Sequence, residues 1–228
     1  MFNDNMVINL YFVRHGMPDY EKDVLTAQGK REAEAASEVL KHIPFNVIYS
    51  SALGRAVETA SFLANKISAP IIKMDWCRED LAWQNFGYFN ERLNHEGWIF
   101  WNGPYLDKMK TLQEDPLWYQ DPLFPSKIGE GIIRINNAVD EWLLSMNIKH
   151  DRKHKTFKAV GDVPNNIILF AHGGFGSAFF PSVMDMIYSY YASNYADFQL
   201  CSITQIEINL DNKTPAKIIR YNDVEHLK

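Results

Sequence analysis

Residues 7–16 read VINLYFVRHG, a short apolar run that stops abruptly at Arg14-His15-Gly16. Residues 7–13 are too few to span a membrane, and their β-branched and aromatic content suits a strand buried on both faces. In an open α/β sheet, ligands gather beyond the carboxyl ends of the strands, where loops aim side chains and N–H groups into one crevice. Arg14 and His15 are expected there. Gly16, lacking a Cβ, is expected to let a substrate come close to the backbone.

Residues 166–174, NIILFAHGG, repeat this logic: a buried strand over 167–170 ends in His172-Gly173, and a helix through Phe179 and Met186 follows. Between these stretches the chain alternates. Thr26 is placed to cap a helix with Ala33, Ala36, Leu40 and Ile43 on one side, ended by Pro44. A strand over 45–49, a helix over 53–67 and a strand over 70–74 come next. The alternation predicts a parallel sheet with helices on its faces. Arg55 falls in the first turn of the second helix, where a positive side chain opposes the helix dipole. Binding an anion beside the free N–H groups would explain it. Runs over 200–208 and 216–221 are expected to complete a mixed sheet with at least one antiparallel member.

After the third strand, Glu79 and Asp80 stand at another carboxyl end, where one acid could supply a proton to a bound ester. Residues 81–128 then change character, with crowded aromatics, several prolines and no clean period. They read as a cap inserted over the sheet, packed as a small satellite core. A helix is expected over 130–146. Residues 149–158 read as a basic, solvated loop in which His150 and His154 belong to no metal set. His42, His95 and His226 are isolated.

With 228 residues, 46% hydrophobic and 22% charged, the chain is read as one globular domain, 1–228. A net charge of -5 argues against nucleic acid as a partner but leaves room for a local positive pocket holding a small anion. Cys77 and Cys201 fit neither a disulfide framework nor a zinc site, which predicts reduced packing residues in a cytoplasmic protein. The N-terminus carries Asp4 and no basic region of a secretory signal, and no stretch is a transmembrane candidate.

Arg14-His15-Gly16, Arg55, Glu79 and His172-Gly173 all fall just after predicted strands or at a helix start. Two arginines can grip phosphoryl oxygens, one imidazole can attack phosphorus and a second can hydrogen-bond the equatorial oxygens. On these residues the sequence resembles the histidine phosphatase superfamily, in its phosphoglycerate-mutase-like group. RHG, LTAQGKREA, SSALGRAVETA and FAHGG carry the likeness in order, with Gly129-Glu130 as a weaker element. It covers about residues 7–75 and 129–208 and barely touches the aromatic cap.

The resemblance implies a three-layer α/β/α fold with His15 as the nucleophile that becomes phosphohistidine. It implies a phosphate pocket of Arg14, Arg55 and His172, with Gly16 and Gly173 at its edge. Glu79 is where the family places its proton donor, with Asp80 as the alternative. No metal or cofactor is required, the partner is a small phosphorylated metabolite, and oligomeric state is left open. Met17-Pro18 departs from the mutase pattern, losing a hydroxyl and a backbone N–H. The cap shows only scattered basic residues, Arg78, Arg92, Lys108 and Lys110. A phosphatase is therefore expected, with a phosphoglycerate mutase or other phosphotransferase, or a non-catalytic phospholigand-binding protein, as the alternatives; Trp83, Phe89, Trp98 and Trp101 suggest an apolar or planar leaving group.

Overall fold

The computed structural model describes residues 6–90, 94–101, 103–195 and 198–228; Asp4 and Arg92 lie outside them. β1 (Val7–Arg14) leads through a short ribbon, β2 (Pro18–Asp19) and β3 (Val24–Leu25), into α1 (Ala27–Leu40). β4 (Ile48–Ser51), α2 (Gly54–Ile67) and β5 (Ile71–Met74) follow, then α3 (Glu79–Phe86), the pair β6 (Gly87–Asn90) and β7 (His95–Trp98), α4 (Pro104–Thr111) and α5 (Ser126–Ser145). The hairpin β8 (Ile148–Asp151) and β9 (Thr156–Ala159) precedes β10 (Asn166–Ala171), α6 (Gly173–Met184), α7 (Tyr188–Asn194), β11 (Ile203–Asn209) and β12 (Lys217–Asp223).

Six of these strands form one sheet in the order β12-β11-β1-β10-β4-β5. β1, β10, β4 and β5 run parallel, while β11 pairs antiparallel with both β1 and β12. The two histidine-bearing strands are therefore neighbours, with Arg14 opposite Ala171 in register. Residues alternate between the faces of β1 as the pleat demands. Leu10 and Phe12 join the core that holds α3, α5 and α6; Tyr11 and Val13 join the core under α1 and α2. The expected three-layer α/β/α sandwich with a mostly parallel mixed sheet results.

Thr26 caps α1 as expected, its Oγ1 accepting from the Gly29 N–H at 3.1 Å. α1 ends at Leu40, short of Ile43, and β4 begins at Ile48 rather than at 45 because residues 41–47 turn the chain between layers. α5 begins at Ser126, so Gly129-Glu130 lies inside the helix rather than before it. A Cβ on Gly129 would sit 2.7 Å from the Tyr119 ring, which accounts for the glycine by packing.

Two sequence expectations need correction. The aromatic region is no satellite: Trp98, Phe100, Trp118 and Phe124 are buried within the same core as β1, α5 and α6. Trp118 stacks on Tyr188 of α7 at 5.4 Å, which welds the cap to the helical layer. Nor is 149–158 a solvated loop. It folds as the β8–β9 hairpin, and the His150 side chain is fully buried. Its Nδ1 meets Asp140 Oδ1 at 2.8 Å, its Nε2 meets Asp185 Oδ2 at 2.7 Å, and its ring stacks on Phe157. Arg152 completes the network through Asp140 and Ser182. His154, by contrast, is exposed beside Asp151. Periodicity could not reveal this network, since its members come from α5, the hairpin and the end of α6.

Burial works against a charged His150, yet carboxylates at both ring nitrogens outweigh it and raise the pKa. The stabilisation is fully present below the unfolded value near 6.5 and is lost as pH rises through the folded value. His150→Ala should cost about 2–3 kcal/mol at pH 6, less than for a wholly buried pair because Asp140 is partly solvated. Urea midpoints at pH 6 and 9 check this: a cost that does not shrink at the higher pH would contradict the assignment.

Candidate active site

The carboxyl ends of β1 and β10 place His15 and His172 side by side, their ring centroids 5.1 Å apart and both side chains buried. His15 Nδ1 lies 2.8 Å from the Gly16 carbonyl oxygen, which can only accept, so Nδ1 carries the proton. Nε2 is left with its lone pair, and Arg55 Nε donates to it at 3.3 Å. His172 Nε2 meets Ser51 Oγ at 2.8 Å at the end of β4. Ser51 Oγ also accepts from the Leu53 N–H, so its hydroxyl proton is free to donate to His172. With that hydroxyl proton given to Nε2, the His172 ring proton sits on Nδ1, an atom buried without a hydrogen-bond partner and 3.7 Å from Glu79 Oε2.

Arg55, in the first turn of α2, is only 7% exposed. Leu53 precedes α2 without offering a side-chain cap. Asp23 does that work from the loop before β3: its carboxylate accepts from the Gly54 N–H at 2.5 Å and from Arg55 Nη1 at 2.6 Å. Arg55 Nη2 reaches Glu79 Oε2 at 2.9 Å, and the second Glu79 oxygen accepts from the Gly174 N–H at 3.1 Å. Glu79 thus bridges a guanidinium and the amino end of α6. Asp80, its rival in sequence, points instead to Arg78, with contacts of 3.0 and 2.7 Å. Arg14 donates through Nη1 to the Phe198 carbonyl, its Nε is buried without a partner, and Gly173 packs over its guanidinium.

Gly16 has a different reason from the one expected. A Cβ there would lie 2.6 Å from the Gly29 carbonyl of α1, and a Cβ on Gly29 would lie 2.2 Å from the Met17 carbonyl. The glycine pair lets the loop after β1 press on the helix, and the Gly16 N–H is taken by Thr59 Oγ1 at 3.2 Å. Met17 faces α1, its N–H donating to Glu32 Oε2 at 2.8 Å.

A cavity of about 500 Å³ opens onto Arg14, Arg55, Glu79 and Gly173. Its other walls are Tyr20, Leu53, Trp83, Trp98, Phe100, Trp101 and Phe198. Phe89 is more than half exposed and lies outside the lining. Arg14, Arg55, Glu79 and Gly173 line this cavity, His15 and His172 are buried against Arg55 and Glu79, and Gly16 lies outside the lining. Ser51 and Thr59 fall within SSALGRAVETA and Gly174 within FAHGG, so the quoted motifs carry a signal for them; Asp23 stands just before LTAQGKREA, and Phe198 has no sequence signal.

Burial drives the His15 pKa down to about 3, with help from the Arg14 and Arg55 charges against the opposing Gly16 hydrogen bond and Asp23. Burial, His15 and the two guanidinium groups hold His172 well below the ordinary imidazole value. Both rings are therefore neutral near pH 7, and His15 Nε2 has the form of a nucleophile. His15, Glu79 and His172 also offer ligand atoms within 4.8 Å of one another, a spacing a metal ion could use. The Arg14 and Arg55 charges beside them oppose a cation and suit an anion.

Two guanidinium groups, two buried neutral imidazoles and a carboxylate meet at these strand ends and helix starts. Residues 10–223 match the histidine phosphatase superfamily (branch 1), and the chain belongs to that family. It is 28% identical over 163 residues to a 2,3-bisphosphoglycerate-dependent phosphoglycerate mutase of Cytophaga hutchinsonii, covering 61% of this chain and 76% of the relative. The mycobacterial glucosyl-3-phosphoglycerate phosphatase shares the fold with a TM-score of 0.61 at 19% identity, covering 96% of this chain and 100% of that one. A phosphoserine phosphatase mutant from Entamoeba histolytica, bound to phosphoserine, shares it with a TM-score of 0.58 at 16% identity, covering 97% and 100%.

A histidine held neutral in the fold but protonated when unfolded contributes stability above about pH 6.5, and this is lost as pH falls toward its folded value. For His15 the loss should run between about 6.5 and about 3. The slope is about 1.4 kcal/mol per pH unit for one proton. His15→Gln should flatten the fall in stability between pH 6 and 4 by about that slope. Urea unfolding of both proteins across that range measures it, and parallel curves would refute the neutral assignment.

Proposed function

We propose that the chain is a histidine-dependent phosphomonoesterase that hydrolyses a small phosphorylated metabolite through a phosphohistidine at His15. The observation that carries this reading is the unprotonated His15 Nε2 beside the Arg55 guanidinium, with Glu79 on the same donor set. An entering phosphoryl group would take over Arg55 Nη2 and the Gly174 N–H, displacing the Glu79 carboxylate toward the leaving oxygen. Arg14 and His172 Nδ1–H supply further donors, so charge developing on the phosphoryl oxygens meets preformed partners.

In the first step His15 Nε2 forms a bond to phosphorus as the ester P–O bond breaks, and Glu79, which takes a proton from the entering monoanionic ester, gives it to the leaving alkoxide. In the second step water attacks the phosphohistidine, Glu79 takes a proton from that water, and inorganic phosphate leaves. No metal enters the scheme, because the guanidinium groups supply the positive charge. The unpaired, buried Cys77 and Cys201 support a reducing, cytoplasmic setting. No helix among the described residues is long and apolar enough to cross a membrane.

The likeness to a phosphoglycerate mutase favours a second reading, phosphoryl transfer between positions of one metabolite. A mutase must keep water from its phosphoenzyme while the substrate reorients, which needs further anion contacts. The described cavity lining offers no cation beyond Arg14 and Arg55. Hydrolysis is accordingly the favoured outcome.

Phosphate release from an aryl phosphate should be unaffected by chelator and fall at least about 10³-fold in His15→Ala. Glu79→Gln should lower kcat by about 10²–10⁴-fold. Rapid quenching should trap an acid-labile, alkali-stable phosphoryl group on His15. Wild-type turnover by His15→Ala would remove the nucleophile, and phosphoryl exchange within phosphoglycerate faster than phosphate release would replace the phosphatase with the mutase.

A further inference from the structure

The cavity is divided by chemistry. Arg14, Arg55 and Glu79 supply its charged lining; the indoles of Trp83, Trp98 and Trp101 with Phe100 supply its aromatic lining. Trp98 and Phe100 are buried and stacked at 5.3 Å, and Trp83 meets Trp98 edge-on at 4.6 Å. Those contacts hold the wall rigid. Trp101 is 54% exposed yet lines the cavity, leaving a large apolar face for a ligand to cover.

Trp98 also fixes how near the apolar wall comes to the reacting end. A Cβ on Gly174 would lie 2.2 Å from Trp98 Cζ2, so the indole packs directly on the residue whose N–H holds Glu79. An ester group leaving this position has aromatic surface beside it. Beyond the phosphoryl donors the described lining adds no cation: Asp80 lines the cavity, and Arg78, which does not, is committed to Asp80. A substrate carboxylate would lose water there and gain no cation among the described residues, a cost of several kcal/mol for an unpaired charge.

We propose that the physiological ester carries a planar, apolar alcohol portion and no carboxylate. This rests on the phosphatase reading above and assigns the substrate class of that same site. A volume of about 500 Å³ accommodates a one- or two-ring group, well beyond a three-carbon acid. Aromatic stacking on Trp101 and Trp83 supplies the recognition, and the pairing of Arg78 with Asp80, which withholds that cation from a substrate acid, supplies discrimination.

Initial rates of phosphate release from 1-naphthyl phosphate, glycerol phosphate, phosphoserine and 3-phosphoglycerate test this. The naphthyl ester should exceed both carboxylated esters in kcat/KM by at least about tenfold. Trp101→Ala should shrink the naphthyl-to-glycerol phosphate ratio at least about fivefold, and Asp80→Asn should raise kcat/KM for 3-phosphoglycerate relative to the naphthyl ester. Preference for a carboxylated ester, or ratios unmoved by both variants, would overturn the proposal while leaving a phosphatase. Absence of release from every ester would instead sink the phosphatase reading. In that case quenching of tryptophan fluorescence decides the ligand class: tighter binding of 1-naphthyl phosphate than of 3-phosphoglycerate sustains it, and the reverse order overturns it.

Discussion

Arg55 carries a permanent positive charge to a place that is nearly sealed from water and that already faces the positive end of a helix. Left alone, such a charge would be expensive. Asp23 and Glu79 neutralise it from two sides, and the third edge of the guanidinium points at His15. The loop before β3, the start of α3 and the end of β1 are thereby drawn to one point. The same charge helps keep the His15 ring neutral, so one side chain organises the backbone around the site and the protonation state within it.

The walls around that point differ in how they are held. His15 and His172 hang from adjacent parallel strands buried on both faces, and their rings are fixed by a main-chain carbonyl and by Ser51. The aromatic wall comes from a region with short helices and a two-stranded ribbon, anchored through stacked rings. Phosphoryl chemistry tolerates little misplacement, whereas an aromatic wall gains from area and shape. Under the phosphatase reading proposed above, the sheet and the aromatic region match the separate demands of reaction and recognition.

The sheet was legible because β1 and β10 are largely apolar runs of strand length, β1 broken only by Asn9 before Arg14, each followed by a histidine and a glycine. The site was legible for the same reason, since parallel strands bring their ends together. What stayed hidden depends on contacts across distant sequence. The Asp140–His150–Asp185 network draws on three elements, and only folding shows that a basic stretch has its histidine inside. Glu79 and Asp80 are equivalent as neighbours in a string; the first turn of α3 sends one to Arg55 and the other to Arg78. The aromatic cap lacked a period because its rings serve the main core and the cavity wall together.

The hydrogen-bond acceptor that orients His15 belongs to the main chain of Gly16. A side-chain acceptor could be erased by one codon change, but a carbonyl is carried by every amino acid. The tautomer of the His15 ring is therefore insured against substitution at its own acceptor. The vulnerability moves to the neighbouring surface, where two glycines let loop and helix touch. Added bulk at that seam would tilt the carbonyl away from His15 with every side chain around it unchanged, a distortion that an inventory of those side chains would read as intact.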